Sequence, residues 1–205
     1  MKLLSIELDI SLDGALKGSF SDNVELKFSS IYLPEGFDPY TFDPDYDLSP
    51  MEEEAFRHAA ECFKVEAEAK KFISRAEQHS FGLKVKLFKK GYNTAIIKEV
   101  ISSLEERKLL DNYRYSELWL RSRVSSSSAH SPRKLLVSLL NKGISTKDAN
   151  NALKEVINFE TEYALLEKYI VKNKLSISDT DKLKYKLRFD GFSRDVLNEF
   201  FDENA

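Results

Sequence analysis

The sequence predicts a mainly α fold: three tandem three-helix repeats forming an elongated, curved body, preceded by a small N-terminal antiparallel β meander. Three observations carry this expectation. A local pattern is written three times, as "LFKKGYNTAII" (87–97), "LLNKGISTKDA" (139–149) and "LRFDGFSRDVL" (187–197). Each copy places Leu four residues before Gly, a bulky apolar residue directly after it, and then Asn or Ser. The glycines, Gly91, Gly143 and Gly191, stand 52 and 48 residues apart in a chain with only seven glycines, and a period near 50 residues marks stacked helical units. The remaining two observations are apolar spacing of helical period from Met51 onward and alternation of period two before residue 30.

Residues 1–30 are expected to form the meander. Ile6, Leu8, Ile10 and Leu12 fall on one face, with Glu7, Asp9 and Ser11 on the other. Asp13-Gly14 suits a tight hairpin turn, since both residues tolerate positive φ. A second run holds Leu16 and Phe20, and after Ser21-Asp22-Asn23 a third holds Val24, Leu26 and Phe28. Three strands alone are marginal, so the meander needs something to pack on. Residues 31–50 contain four of the five prolines and read as a Pro/Asp-rich linker. "DPDYDLSPMEEE" spaces Asp43, Asp45, Asp47, Ser49 and Glu54 like calcium ligands, but Leu48 stands where the loop needs Gly. Ser49 instead suits a helix N-cap, with Pro50 at the first helical position and Glu52 completing a capping box.

Helices are predicted over roughly 51–77, 80–90, 94–107, 111–126, 132–142, 146–157, 161–174, 179–190 and 194–202. They group by threes into repeats at 51–107, 108–158 and 159–205. The repeated pattern is punctuation between helices. Gly takes the left-handed conformation that closes one helix. The next residue (Tyr92, Ile144, Phe192) folds back on the last turn, and Asn93, Ser145 or Ser193 caps the following helix. Gly91, Gly143 and Gly191 are therefore assigned as structural repeat corners.

Composition narrows the function class. A charged fraction of 32%, few Gly and Pro, and no apolar run near the ~20 residues of a membrane span indicate a soluble helical protein. The start, "MKLLSIELDI", meets acidic residues too soon for a signal peptide, and the lone Cys62 has no intrachain disulfide partner. The expectation is a cytoplasmic monomer. Residues 1–54 carry 13 Asp/Glu against 3 Lys/Arg, whereas residues 70–142 carry 16 Lys/Arg against 6 Asp/Glu. A basic body under an acidic head suits an anionic partner, although a solvated helical surface has the same composition. Catalysis finds no support. His58, His79 and His130 are scattered without metal spacing, the serine run lacks a nucleophile elbow, and "KGYN" and "NKGI" hold too little glycine for a phosphate loop. No enzyme activity, cofactor or metal is expected.

The stretch "FGLKVKLFKKGYNTAIIKEVISSLEERKLLDNYRYSELWLRSR" resembles the core of the RecX family, bacterial regulators of the RecA recombinase. The matching features are Leu83, Leu87, Lys90 and Gly91, then Leu109-Leu110-Asp111, Arg114-Tyr115, and Arg121 with Arg123. "SPRKLLVSLLNKGIS" continues through Pro132, Leu139, Lys142, Gly143 and Ile144, and Gly191-Phe192-Ser193 is similar to the family's third unit. Gly82, Ser131 and the serine run 125–128 depart from the family's usual residues. The resemblance implies a tandem three-helix-repeat protein lodged in the groove of the RecA–DNA filament. There it would modulate, chiefly by inhibition, ATP turnover, strand exchange and filament extension, and so damp recombination and the SOS response.

The residues assigned to partner or DNA contact are Arg114, Tyr115, Arg121, Arg123, Arg133, Lys134, Lys89 and Lys90. In "DNYRYSELWLRSR", Arg114, Leu118 and Arg121 share a helix face beside a stripe of Tyr115 and Trp119. Arginine binds phosphate or carboxylate at two points, and Tyr and Trp are frequent interface anchors. The same aromatics also suit a core. Lys89 and Lys90 sit at a helix C-terminus, which favours cations, whereas Arg133 and Lys134 sit at a helix start, where the dipole gives them nothing. RecA is the expected partner, with DNA secondary. Two alternatives stay open: a DNA-binding repeat protein acting without RecA, and a helical scaffold for another partner. The acidic meander is expected to act as a lid or a second contact.

Overall fold

A computed structural model of the protein describes residues 1–9, 15–43, 45–126, 129–176 and 180–203. The chain divides into two compact units: residues 1–77 with 83–110, and residues 78–82 with 111–205.

The first unit begins with strands β1 (Lys2–Asp9), β2 (Ala15–Phe20) and β3 (Val24–Phe28), followed by a short β4 (Tyr46–Asp47) that the sequence reading lacked. The sheet order is β3-β2-β1-β4, with every pairing antiparallel. The expected turn at Asp13-Gly14, with Ile10 and Leu12, lies outside the described residues. An irregularity in β1 between Leu3 and Ser5 shifts the register by one residue. Leu3 thereby joins Ile6 and Leu8 opposite Phe20, Gly18 and Leu16. Leu3 is buried, but Leu8 stays 68% exposed, so the expected apolar face is buried only in part.

Helix α1 (Pro50–Ile73) lies against this sheet and supplies the neighbour that the meander needs. It starts as its sequence dictates. Ser49 Oγ accepts from Glu52 N (3.3 Å), and Ser49 N donates to Glu52 Oε2 (2.7 Å). Phe56 is fully buried, with the rings of Phe20, Phe28 and Phe37 edge-on to it at 5.4, 5.2 and 5.4 Å. Gly18 makes this possible: a Cβ there would stand 2.8 Å from the Phe20 ring. The stretch expected to be a linker is packed into the same core. Tyr32, Leu33 and Leu48 are buried, and Phe37 and Phe42 pack against the cluster. Pro34 and Pro39 punctuate a folded segment, because the aromatic residues around them have a sheet–helix seam to fill.

Helix α2 (Ser80–Lys89) leads to α3 (Thr94–Glu106), which packs on α1. Glu66 of α1 is 3% exposed and ties three segments together. It accepts from Arg107 (2.7 and 3.1 Å) and from the Tyr32 hydroxyl, and it pairs with Lys70 at 2.8 Å.

The second unit holds α4 (Asn112–Ser125), α5 (Pro132–Asn141), α6 (Thr146–Val156), α7 (Phe159–Lys172), α8 (Thr180–Phe189) and α9 (Arg194–Glu203). Helices α4 and α5 pack on α6, and α7 and α8 pack on α9. The buried face of α4 carries Ser116 and Leu120, and α6 buries Ala149 and Ala152. Small residues on both faces let these helices approach closely. Among the described residues, each of the nine predicted helices is found within a few residues of its expected bounds.

The corners form as their chemistry requires. Gly91, Gly143 and Gly191 have φ of +86°, +77° and +95°. In the second and third copies the residue after Gly donates back to the Leu that opens the motif, Ile144 N to Leu139 O (3.2 Å) and Phe192 N to Leu187 O (3.1 Å). Both side chains are buried, which completes a Schellman closure. Asn93 caps α3 through Ala95 N (2.8 Å), and Ser145 caps α6 through Asp148 N (3.0 Å). Among the described residues, no helix is long and apolar enough to cross a membrane.

Candidate interaction surface

Asp111 fixes the start of α4 by accepting from Tyr113 N (2.9 Å) and Arg114 N (3.0 Å). On this helix Tyr115 and Trp119, like Tyr113, are half-buried and Leu118 is exposed. Tyr115 packs on the His79 ring at 4.7 Å, and Trp119 lies under two cations, Arg123 at 5.2 Å and Lys142 at 5.7 Å. Arg121 is exposed and leans on Glu117 at 3.6 Å. Arg123, Lys134 and Lys172 converge electrostatically on His130; burial first, and then these cations, hold its imidazole below the ordinary value. The second unit thus gathers Arg123 and Lys134 into one cationic region, with Lys172 and Lys142 added to the residues expected there.

The other candidates are placed differently. Lys89 and Lys90 belong to the first unit. Lys90 is bound to Glu68 at 2.7 Å and lies over the Phe72 ring with Lys86, while Lys89 is exposed. Arg133 makes internal contacts. Its backbone N donates to Asp190 O (3.1 Å), its guanidinium donates to Phe189 O (3.1 Å), and it covers the Phe189 ring at 4.2 Å.

Arg133 also explains one corner glycine. A Cβ on Gly191 would stand 3.0 Å from Arg133 N, and a Cβ on Gly143 would stand 2.9 Å from Phe81 Cβ. Phe81 and Arg133 each lie two residues before a buried leucine, Leu83 and Leu135, that stands four residues ahead of the leucine opening its copy of the motif. The same junction is therefore made twice. At Gly91 a Cβ would meet nothing within 4 Å.

Sequence reasoning missed a surface on α8. Lys182, Tyr185, Lys186 and Phe189 border an apolar cavity of about 510 Å³, with Tyr185 76% and Phe189 60% exposed. Its signal was present as aromatic and lysine pairs at i,i+4 spacing.

No family model matches the chain. Regulatory protein RecX of Treponema pallidum is 32% identical over 114 residues, which span 56% of this chain and 69% of that protein. This chain belongs to the RecX family. Regulatory protein RecX of Clostridium acetobutylicum is 29% identical over 199 residues, covering 91% of this chain and 87% of the relative. A crystal structure of regulatory protein RecX superposes over 98% of each chain with a TM-score of 0.71 at 18% identity. That of RecX from Lactobacillus salivarius matches with a TM-score of 0.55 at 23% identity, covering 70% of this chain and 96% of the other. These two likenesses show the family fold: helices following a small antiparallel sheet.

Proposed function

We propose that this protein regulates RecA by binding the RecA–DNA filament and restraining its ATP turnover, strand exchange and extension, thereby damping recombination and the SOS response. Membership of a family of regulatory proteins carries this reading, since RecA regulation is the role that the RecX resemblance implies. The cationic region around Arg123, Lys134 and Lys142, with Arg114, Tyr115 and Arg121 on the same helix α4, is the contact surface we assign to the filament. Lys89 and Lys90 supply a second contact, and Arg133 serves mainly to order the α5–α8 junction. We read residues 51–107, 108–158 and 159–205 as tandem repeats. The support is the duplicated junction, Phe81 on Gly143 and Arg133 on Gly191.

RecA ATP turnover on single-stranded DNA, titrated with this protein far below RecA stoichiometry, tests the proposal. Strong inhibition where naked DNA is barely bound is the expected outcome, and no effect on turnover refutes it. The aromatic and lysine face of α8 favours a second reading, direct binding of single-stranded nucleic acid by base stacking and phosphate contact. Under that reading Tyr185→Ala weakens binding to DNA without RecA, and affinity falls steeply with salt.

A further inference from the structure

His58 and Cys62 stand one turn apart on α1, and α3 brings Glu99 to the same point. His58 Nε2 is 2.9 Å from Glu99 Oε2 and 3.6 Å from Cys62 Sγ, and the three atoms all lie within 4.8 Å of one another. Cys62 is fully buried and forms the floor; His58 and Glu99 are partly exposed and form the rim. A cleft of about 440 Å³, lined also by Tyr32, Met51 and Glu54, opens onto the rim.

We propose that His58, Cys62 and Glu99 form a three-ligand site for a divalent transition-metal ion, with zinc the best match. A thiolate, an imidazole and a carboxylate are a zinc-type donor set, whereas magnesium and calcium take oxygen. Bond lengths of about 2.0–2.3 Å place tetrahedral ligands roughly 3.3–3.7 Å apart. The His58–Cys62 separation already lies in that range. The His58–Glu99 contact has to open by roughly half an ångström, which Glu99 can do by rotating at the rim. The fourth position faces the cleft and takes water or a ligand from solution.

Charge supports the assignment. Without an ion, Cys62 is a free, buried thiol with one S–H proton to give up. A dication displaces that proton to solvent and forms the metal–sulfur bond, with no change of oxidation state. One thiolate and one carboxylate then balance the charge of the ion, which a half-buried site needs. The bound ion would also link α1 to α3 inside the first unit. This inference is independent of the RecA reading.

The test is titration of the full chain with Co²⁺, read by absorption, and with Zn²⁺, read by calorimetry and thermal melting. The expected result is one equivalent bound with a thiolate-to-cobalt charge-transfer band and tetrahedral visible bands, and a melting temperature raised by several degrees with zinc. Cys62→Ser should abolish the charge-transfer band. Glu99→Gln, at the solvent-facing rim, preserves the fold and should weaken zinc at least tenfold. Binding without the charge-transfer band, zinc affinity unchanged in Glu99→Gln, or no stoichiometric binding by the wild-type chain would each overturn the proposal.

Discussion

The three corner glycines share a sequence motif and a positive φ, yet the structure assigns them different costs of substitution. In each, alanine puts a side chain into the left-handed region, which costs about 1–2 kcal/mol. At Gly91 that is the whole penalty, because the new methyl meets open space. At Gly143 the methyl would stand 2.9 Å from Phe81 Cβ, an atom that cannot move without its backbone. Overpacking of this kind adds about 1–3 kcal/mol, so Gly143→Ala should cost about 2–5 kcal/mol in all. Gly191→Ala, at 3.0 Å from Arg133 N, should fall between them. Urea unfolding measures the difference, with the single tryptophan, Trp119, reporting on the second unit and far-UV circular dichroism on both. With a slope of about 1–3 kcal/mol per molar urea, the midpoint should drop by roughly 1–2 M for Gly143→Ala and about half as much for Gly91→Ala. Equal losses at the three glycines would refute the junction argument and leave only the closure of individual helices.

Other expectations follow from single contacts. Phe56→Ala removes the ring on which Phe20, Phe28 and Phe37 converge, and should cost about 3–5 kcal/mol by chemical denaturation. Deleting residues 1–48 would strip the same core, so it should destabilise the first unit rather than simply lift a lid; an unchanged melting temperature would contradict that. Burial raises the Glu66 carboxyl, but hydrogen bonds from Arg107, Lys70 and Tyr32 outweigh it and hold the group below its ordinary 4.5. The stability it adds is present above that value and lost as pH falls through its lower folded-state value, so Glu66→Gln should flatten the acid limb of a pH–stability curve. That variant should cost about 1–3 kcal/mol at neutral pH, because Arg107 and Lys70 keep partial access to solvent. Lys174 closes α7 at φ +50° without glycine's freedom, so Lys174→Gly should stabilise the second unit by about 1 kcal/mol, read as a rise in urea midpoint.

The helices and their corners were legible in the sequence because they depend on neighbours in the chain. Ser49 with Glu52, Asp111, Ser145 with Asp148, and Gly before a buried Ile144 or Phe192 satisfy or close a helix end within a few residues. The surface was legible only by composition. Basic residues were visible in 70–142, but no local rule says that Arg133 spends its guanidinium on Phe189 O, or that Lys142 joins Arg123 over Trp119. The packed course of residues 31–43 was hidden for the same reason: its prolines are local signals, whereas burial of Tyr32 and packing of Phe37 depend on α1. In β1 the alternation was visible, but the bulge that brings Leu3 to the buried face depends on pairing with β2.

The sequence by itself determined where helices start and stop, the threefold corner motif, and the family to which the chain belongs, since each rests on short-range chemistry or on residue order. Tertiary structure alone decided which glycine needs to be glycine for its neighbour's sake, which cations face solvent, and that His58, Cys62 and Glu99 meet. Those outcomes depend on separations of tens of residues closing to a few ångströms, and only the packing of helix on helix fixes which ones close.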